Sequence, residues 1–159
     1  MNPARAFAPA APPAWMQLTT LALALGGLGS SLYLTIAHYT TTVTLACPDT
    51  GVVNCEKVTT SPQSMLFGTI PVADLGLGFF ILMVALHTPW AWQAPGAAIR
   101  WARVGALAAG MAFVLYLVYT ELFTLDAICL WCTSVHVITF LLFAFGVTTA
   151  TARARPAPA

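Results

Sequence analysis

The sequence predicts an all-α integral membrane protein, a bundle of four helices with an extracytoplasmic loop, and three observations carry that prediction. The 159 residues are 59% hydrophobic and only 7% charged, with a mean hydropathy of +0.83. A soluble domain carries roughly 25% charged residues. Several apolar runs reach the length of about 20 residues that a helix needs to cross the hydrocarbon core. Four cysteines form two close pairs, Cys47/Cys55 and Cys129/Cys132, a usage that suits electron relay better than a disulfide scaffold. The net charge of +1 and the lack of a basic patch leave no footprint for nucleic acid.

Taken in order, residues 1–14 are rich in Ala and Pro and predict a disordered cytoplasmic tail. The helical domain covers residues 15–150, and residues 151–159 form a second cytoplasmic tail. A first span runs from Trp15 to about His38. A cleaved signal peptide is the alternative, but the run is long and further spans follow. Small residues such as Gly26, Gly27 and Ser31 suit close helix packing.

The loop from Tyr39 to Ile70 holds Cys47-Pro-Asp-Thr-Gly-Val-Val-Asn-Cys55, where Asp49 to Gly51 is a turn signal. Ser61 before Pro62 predicts an N-cap and a short interfacial helix through Phe67. Met65, Leu66 and Phe67 would dip that helix into the membrane surface. The second span runs from Pro71 to about Trp90, with Asp74 in its first turn. A connector from Pro89 to Arg103 follows, with Trp90, Trp92 and Trp101 as interfacial anchors. Spans three and four cover about 102–122 and Cys129 to Thr149.

Charge orients the bundle. Arg5, Arg100, Arg103, Arg153 and Arg155 fall on one side, and Lys57 is the only base on the other. The positive-inside rule makes the arginine side cytoplasmic. Both termini are then cytoplasmic in a multi-pass protein of the inner (plasma) membrane. Both cysteine pairs face the oxidising compartment, where disulfides persist.

The stretch Asp126-Ala-Ile-Cys129-Leu-Trp-Cys132-Thr-Ser-Val-His136 opens the last span. Residues three and four apart share a helix face, so Cys129, Cys132 and His136 form one stripe. Cys129 in the first turn gains from the unpaired N–H groups and the dipole, with Asp126 as N-cap opposing that effect. Two buried packing cysteines or a zinc site are the competing readings, and the C-x7-C loop spacing is not that of a zinc knuckle. Cys47 and Cys55 read either as a structural staple or as a pair exchanging with the C-x-x-C. His136 is a hydrogen-bond donor to a bound carbonyl or a packed histidine. Asp74 is a ligand-site acid or a plain helix start. His38 and His87 read as interfacial, and Tyr116, Tyr119 and Phe140 as a weakly signalled aromatic pocket.

A loop pair preceding a C-x-x-C at the head of the last of four spans resembles the vitamin K epoxide reductase family. Gly29-Ser-Ser-Leu-Tyr33, Cys55-Glu-Lys-Val-Thr-Thr-Ser61 and Ile70-Pro-Val-Ala-Asp-Leu-Gly76 support the likeness, which covers roughly residues 15–150. The resemblance implies electron flow from a thioredoxin-like or DsbA-like extracytoplasmic protein through the cysteines to a membrane quinone. Cys47 would meet the partner, Cys55 would shuttle to Cys129, and Cys132 would face the quinone. Ser61 matches a serine that the family keeps. His136 stands where animal members have a tyrosine against the quinone. The partner is expected to be a separate protein, because the chain ends after the fourth span. The quinone, whether menaquinone, ubiquinone or vitamin K, is expected near Cys132, capped by the Met65–Phe67 segment, with no metal. The expected role is quinone-dependent disulfide formation, with the Cys129–Cys132 disulfide as the resting state. The alternatives are vitamin K quinone or epoxide reduction, a DsbB-like oxidase, and a membrane scaffold with structural disulfides.

Overall fold

A computed structural model describes residues 12–154 except 41, 95 and 96. The N-terminal tail, Arg5, Arg155, Pro95 and Gly96 thus lie outside the described residues. Four apolar helices carry the architecture: α1 (Ala14–Tyr39), α3 (Val72–His87), α5 (Ala97–Thr120) and α6 (Leu130–Ala154). The short α2 (Cys55–Thr59) and α4 (Pro89–Gln93) lie between them. The stretches Ala14–Tyr39, Ala97–Leu125 and Leu130–Thr149 are long and apolar enough to cross a membrane, and α3 is an apolar helix of 16 residues. The fold is an all-α membrane protein.

Glycine lets the helices approach. A Cβ on Gly27 of α1 would lie 2.0 Å from the Phe80 ring of α3, and one on Gly110 of α5 would lie 2.6 Å from Phe79. Gly146 of α6 receives Leu107 in the same way. Phe80, Met83, Leu107, Leu142 and Ala24 form the central core. Small residues replaced by neighbouring side chains are how helices pack where lipid removes the hydrophobic drive.

The second span ends earlier than its apolar composition predicts. Thr88 accepts the Ala91 N–H on its hydroxyl and Pro89 opens α4, so the chain leaves α3 at His87. That corner buries two residues expected at the interface. His87 pairs Nδ1 with the Met83 carbonyl at 2.8 Å, and its ring meets that of Trp92. Arg103 is buried too, lying 3.5 Å over the Trp92 ring and donating to the Leu86 carbonyl at 2.6 Å. Trp90 and Trp101 stay exposed.

The loop departs from expectation twice. The helix expected from Pro62 to Phe67 is only a 3-10 turn, Pro62–Ser64, and a two-stranded antiparallel hairpin replaces its second half. Met65 pairs with Pro71 and Leu66 with Ile70. Phe67 and Gly68 turn the hairpin with positive φ, +53° and +70°, a geometry that glycine allows and a helix does not. A helix does form ahead of it, at α2, where Asn54 accepts the Lys57 N–H at 2.7 Å as N-cap.

The head of the last span also starts differently. After α5 the chain makes a π-helical segment, Glu121–Leu125, closed by Asp126 in the left-handed region at φ +46°. Asp126 therefore ends one element rather than capping the next, and α6 begins at Leu130 and continues through Ala154.

Candidate functional site

The disulfide loop is held against the C-x-x-C by hydrogen bonds on both of its flanks. Val53 and Ile128 form a parallel bridge, with Ile128 N–H donating to Val52 O at 2.8 Å and Asn54 N–H to Ile128 O at 3.0 Å. Cys55 and Cys129 follow directly on the two bridged strands and are buried in one cluster with Leu34, Val58 and Ala127. On the other flank, Trp131 donates from Nε1 to Ala46 O at 3.1 Å. The Tyr33 hydroxyl takes the Ala46 N–H at 3.0 Å, and the Tyr33 and Trp131 rings meet edge to face.

Within this frame Cys47 and Cys55 are joined as a disulfide, and Cys129 and Cys132 are free thiols. The expectation of a Cys129–Cys132 disulfide is not what this state contains. Cys47 is partly exposed, whereas Cys55 and Cys129 are buried. Cys129 sits immediately before α6, not in its first turn. Its carbonyl accepts the Thr133 N–H at 2.8 Å and its sulfur accepts the Cys132 N–H at 3.3 Å. The cysteine itself is the helix cap, so its sulfur lies where the N–H groups and the dipole favour a thiolate.

Cys132, one turn on, opens into a cavity of about 370 Å³ between α1, α3, α5 and α6. Phe79, Phe80, Phe113 and Val135 supply apolar wall, and His136, 7% exposed, shares the α6 side with Cys132. The hairpin and 3-10 turn contribute Leu66, Ser64 and Gln63 from above. Ser31 of α1 is 1% exposed, lines the cavity beside Gly76, and has no protein partner for its hydroxyl. Aromatic faces with a few buried polar groups suit a flat ring bearing carbonyls.

The remaining expected site residues divide. Ser61 lines the cavity, buried, and its hydroxyl donates to Val58 O at 2.8 Å. Asp74 turns away and accepts the Tyr39 hydroxyl at 2.6 Å. Phe67 is 87% exposed at the hairpin tip and is not part of the wall; Leu66 takes that place. Tyr116, Tyr119 and Phe140 point outward, so the aromatic pocket is built from Phe79, Phe80 and Phe113 instead.

Two wall residues escaped the sequence reading. Ser31 looked like a packing residue. Glu121, an acid at the end of the third span, is buried and lines the cavity. Its register was the available signal: Gly110, Val114, Leu117 and Glu121 recur at helical spacing on one stripe.

The sequence model of the vitamin K epoxide reductase family matches residues 18–147. The chain belongs to that family. The match takes in both cysteine pairs and every element that lines the cavity. No curated protein matches the chain at a significant level. Membership makes this vitamin K epoxide reductase relative a membrane oxidoreductase, and the Cys47–Cys55 disulfide beside two free thiols is in keeping with thiol chemistry.

Proposed function

We propose that this family member is a four-span, quinone-dependent thiol–disulfide oxidoreductase that supports disulfide formation outside the cytoplasm. One observation carries the reading: Cys132 opens on an apolar, aromatic cavity while Cys129, three residues before it, is buried in the same cluster as Cys55. An extracytoplasmic thioredoxin-like dithiol protein reduces the Cys47–Cys55 disulfide through the partly exposed Cys47. The Cys55 thiolate then attacks Cys129 of an oxidised C-x-x-C, and Cys132 leaves as thiolate. Cys47 resolves the Cys55–Cys129 bond, which restores the loop disulfide and leaves Cys129 and Cys132 reduced. The state with a loop disulfide and two free thiols corresponds to this point in the cycle.

In the second half-reaction Cys129 and Cys132 re-form their disulfide, and two electrons and two protons pass to the quinone, giving a quinol. Cys132 supplies the contact with the acceptor, His136 donates to a carbonyl, and Ser31 offers its unpartnered hydroxyl to the ring substituents. Ser61 positions α2 over the cavity. Phe79, Phe80 and Phe113 bury the ring faces and exclude water.

The test is purified protein given a reduced dithiol protein and a soluble quinone. Quinol formation in step with oxidation of the dithiol protein is the expected result. A protein that holds its disulfides without turning over quinone would be a scaffold, and the proposal would fall.

A further inference from the structure

We infer that Glu121 carries the protons that leave the Cys129/Cys132 thiols when they are oxidised, passing them into the acceptor cavity; this rests on the quinone-reductase reading. The side chain is 6% exposed on the α5 stripe that otherwise presents Gly110, Val114 and Leu117 to the cavity. An acid at that depth is expensive without a purpose. No cation acts on it among the described residues, so it is not half of a buried ion pair.

Local backbone geometry aims the group. Glu121 begins the π-helical segment, a departure from α-helix that often accompanies functional sites. Asp126 turns the chain back in the left-handed region, and Ala127 N–H returns to Glu121 O at 3.1 Å. The side chain is thereby held, buried, on the cavity wall that it shares with Cys132. A glutamine would fill the same place on that wall. What an amide lacks is the ability to exchange a proton.

The chemistry needs that ability. Oxidation forms one S–S bond, breaks two S–H bonds and sends two electrons to the quinone, whose two oxygens gain two protons. Glu121 accepts a thiol proton, releases it toward the cavity, and is ready for the second. The other titratable groups around it do not offer the same path. Cys55 is in the disulfide, and Glu56, Lys57, Asp126, Tyr116 and Tyr119 are exposed. His38 lies at the exposed end of α1, and Asp74 is bonded to Tyr39. His136 lies one turn deeper on α6, on the acceptor side of Cys132.

The experiment compares Glu121→Gln and Glu121→Asp in the full-length protein. Glu121→Gln keeps the size and shape of the side chain, so the fold and the loop disulfide should persist. Its quinone reduction should fall about 100-fold, the usual size of a general acid–base contribution. One limb of the pH–rate profile should disappear, and Glu121→Asp should recover part of both. A wild-type rate and profile in Glu121→Gln would overturn the inference. So would equal slowing in both variants with the wild-type profile intact, since that marks a purely positioning role. A second readout needs no quinone: the infrared difference between oxidised and reduced C-x-x-C, with diamide as oxidant. Wild type should show a carboxyl band that is missing in Glu121→Gln, and its absence from wild type would sink the proton role. If wild type reduces no quinone at all, the proposed function fails, and the infrared result still decides the fate of Glu121.

Discussion

Replacing Gly27 by Ala tests how tightly the cavity is tied to helix packing. The new Cβ would sit 2.0 Å from one Phe80 ring atom and 2.4 Å from two others. Phe80 is fully buried against Ala24, Met83, Leu107 and Leu142, so the ring can retreat only into the cavity it walls. Overpacking of this kind costs about 1–3 kcal/mol, while alanine gains up to about 1 kcal/mol of helix propensity over glycine. Gly29, two residues on, separates the two effects, because nothing lies within 4 Å of its Cβ position. Gly29→Ala gains propensity alone, so the gap between the variants is the packing term. We expect roughly 2 kcal/mol, about a 30-fold difference in unfolding equilibrium. Unfolding in mixed detergent micelles measures it. The ring that must move also walls the cavity, so quinone affinity should weaken in Gly27→Ala and not in Gly29→Ala. Shrinking the ring with Phe80→Leu should restore part of the lost stability. Equal stability of the two glycine variants would refute the packing argument.

Four further outcomes are expected. Ile128→Pro deletes the N–H that bonds Val52 O at 2.8 Å; internal exchange between Cys55 and Cys129 should slow about tenfold as their alignment loosens, and stopped-flow thiol kinetics at the wild-type rate would count against the bridge. Cys132→Ser should halt turnover and trap a Cys55–Cys129 disulfide, detected by non-reducing peptide mapping; a Cys47–Cys129 bond would reverse the roles of the loop cysteines. His136→Leu should raise the KM for quinone or lower kcat while leaving exchange among the cysteines intact, and unchanged quinone kinetics would remove it from the site. Membrane-impermeant thiol reagents on intact, reduced cells should label Cys47 before Cys55, since only Cys47 is partly exposed; labelling only from the cytoplasmic side would invert the topology.

Composition, span length and cysteine spacing were enough to mark this chain as a membrane protein and to single out both thiol pairs, while the family came from a resemblance in its motifs and was shown by the match over residues 18–147. Those properties are local: a run of apolar residues or a C-x-x-C keeps its meaning whatever packs against it. Helix register also put Cys132 and His136 on one face, and they share the cavity wall. Side-chain direction at breaks in regular structure is different, because it depends on which backbone groups find partners across the fold. Ser61-Pro62 looks like a helix start, yet Phe67 and Gly68 turn the chain into a hairpin and leave Phe67 outside the cavity. Asp126 looks like an N-cap, yet the Val53–Ile128 bridge holds the chain extended and passes the capping role to the Cys129 sulfur. Glu121 carries the same lesson furthest. In sequence it is one acid near a membrane face, and only the π-helical turn and the packing of the helices bury it on the cavity wall that Cys132 also lines. Hydrogen-bond partners distant along the chain, not residue type, decide where such groups point.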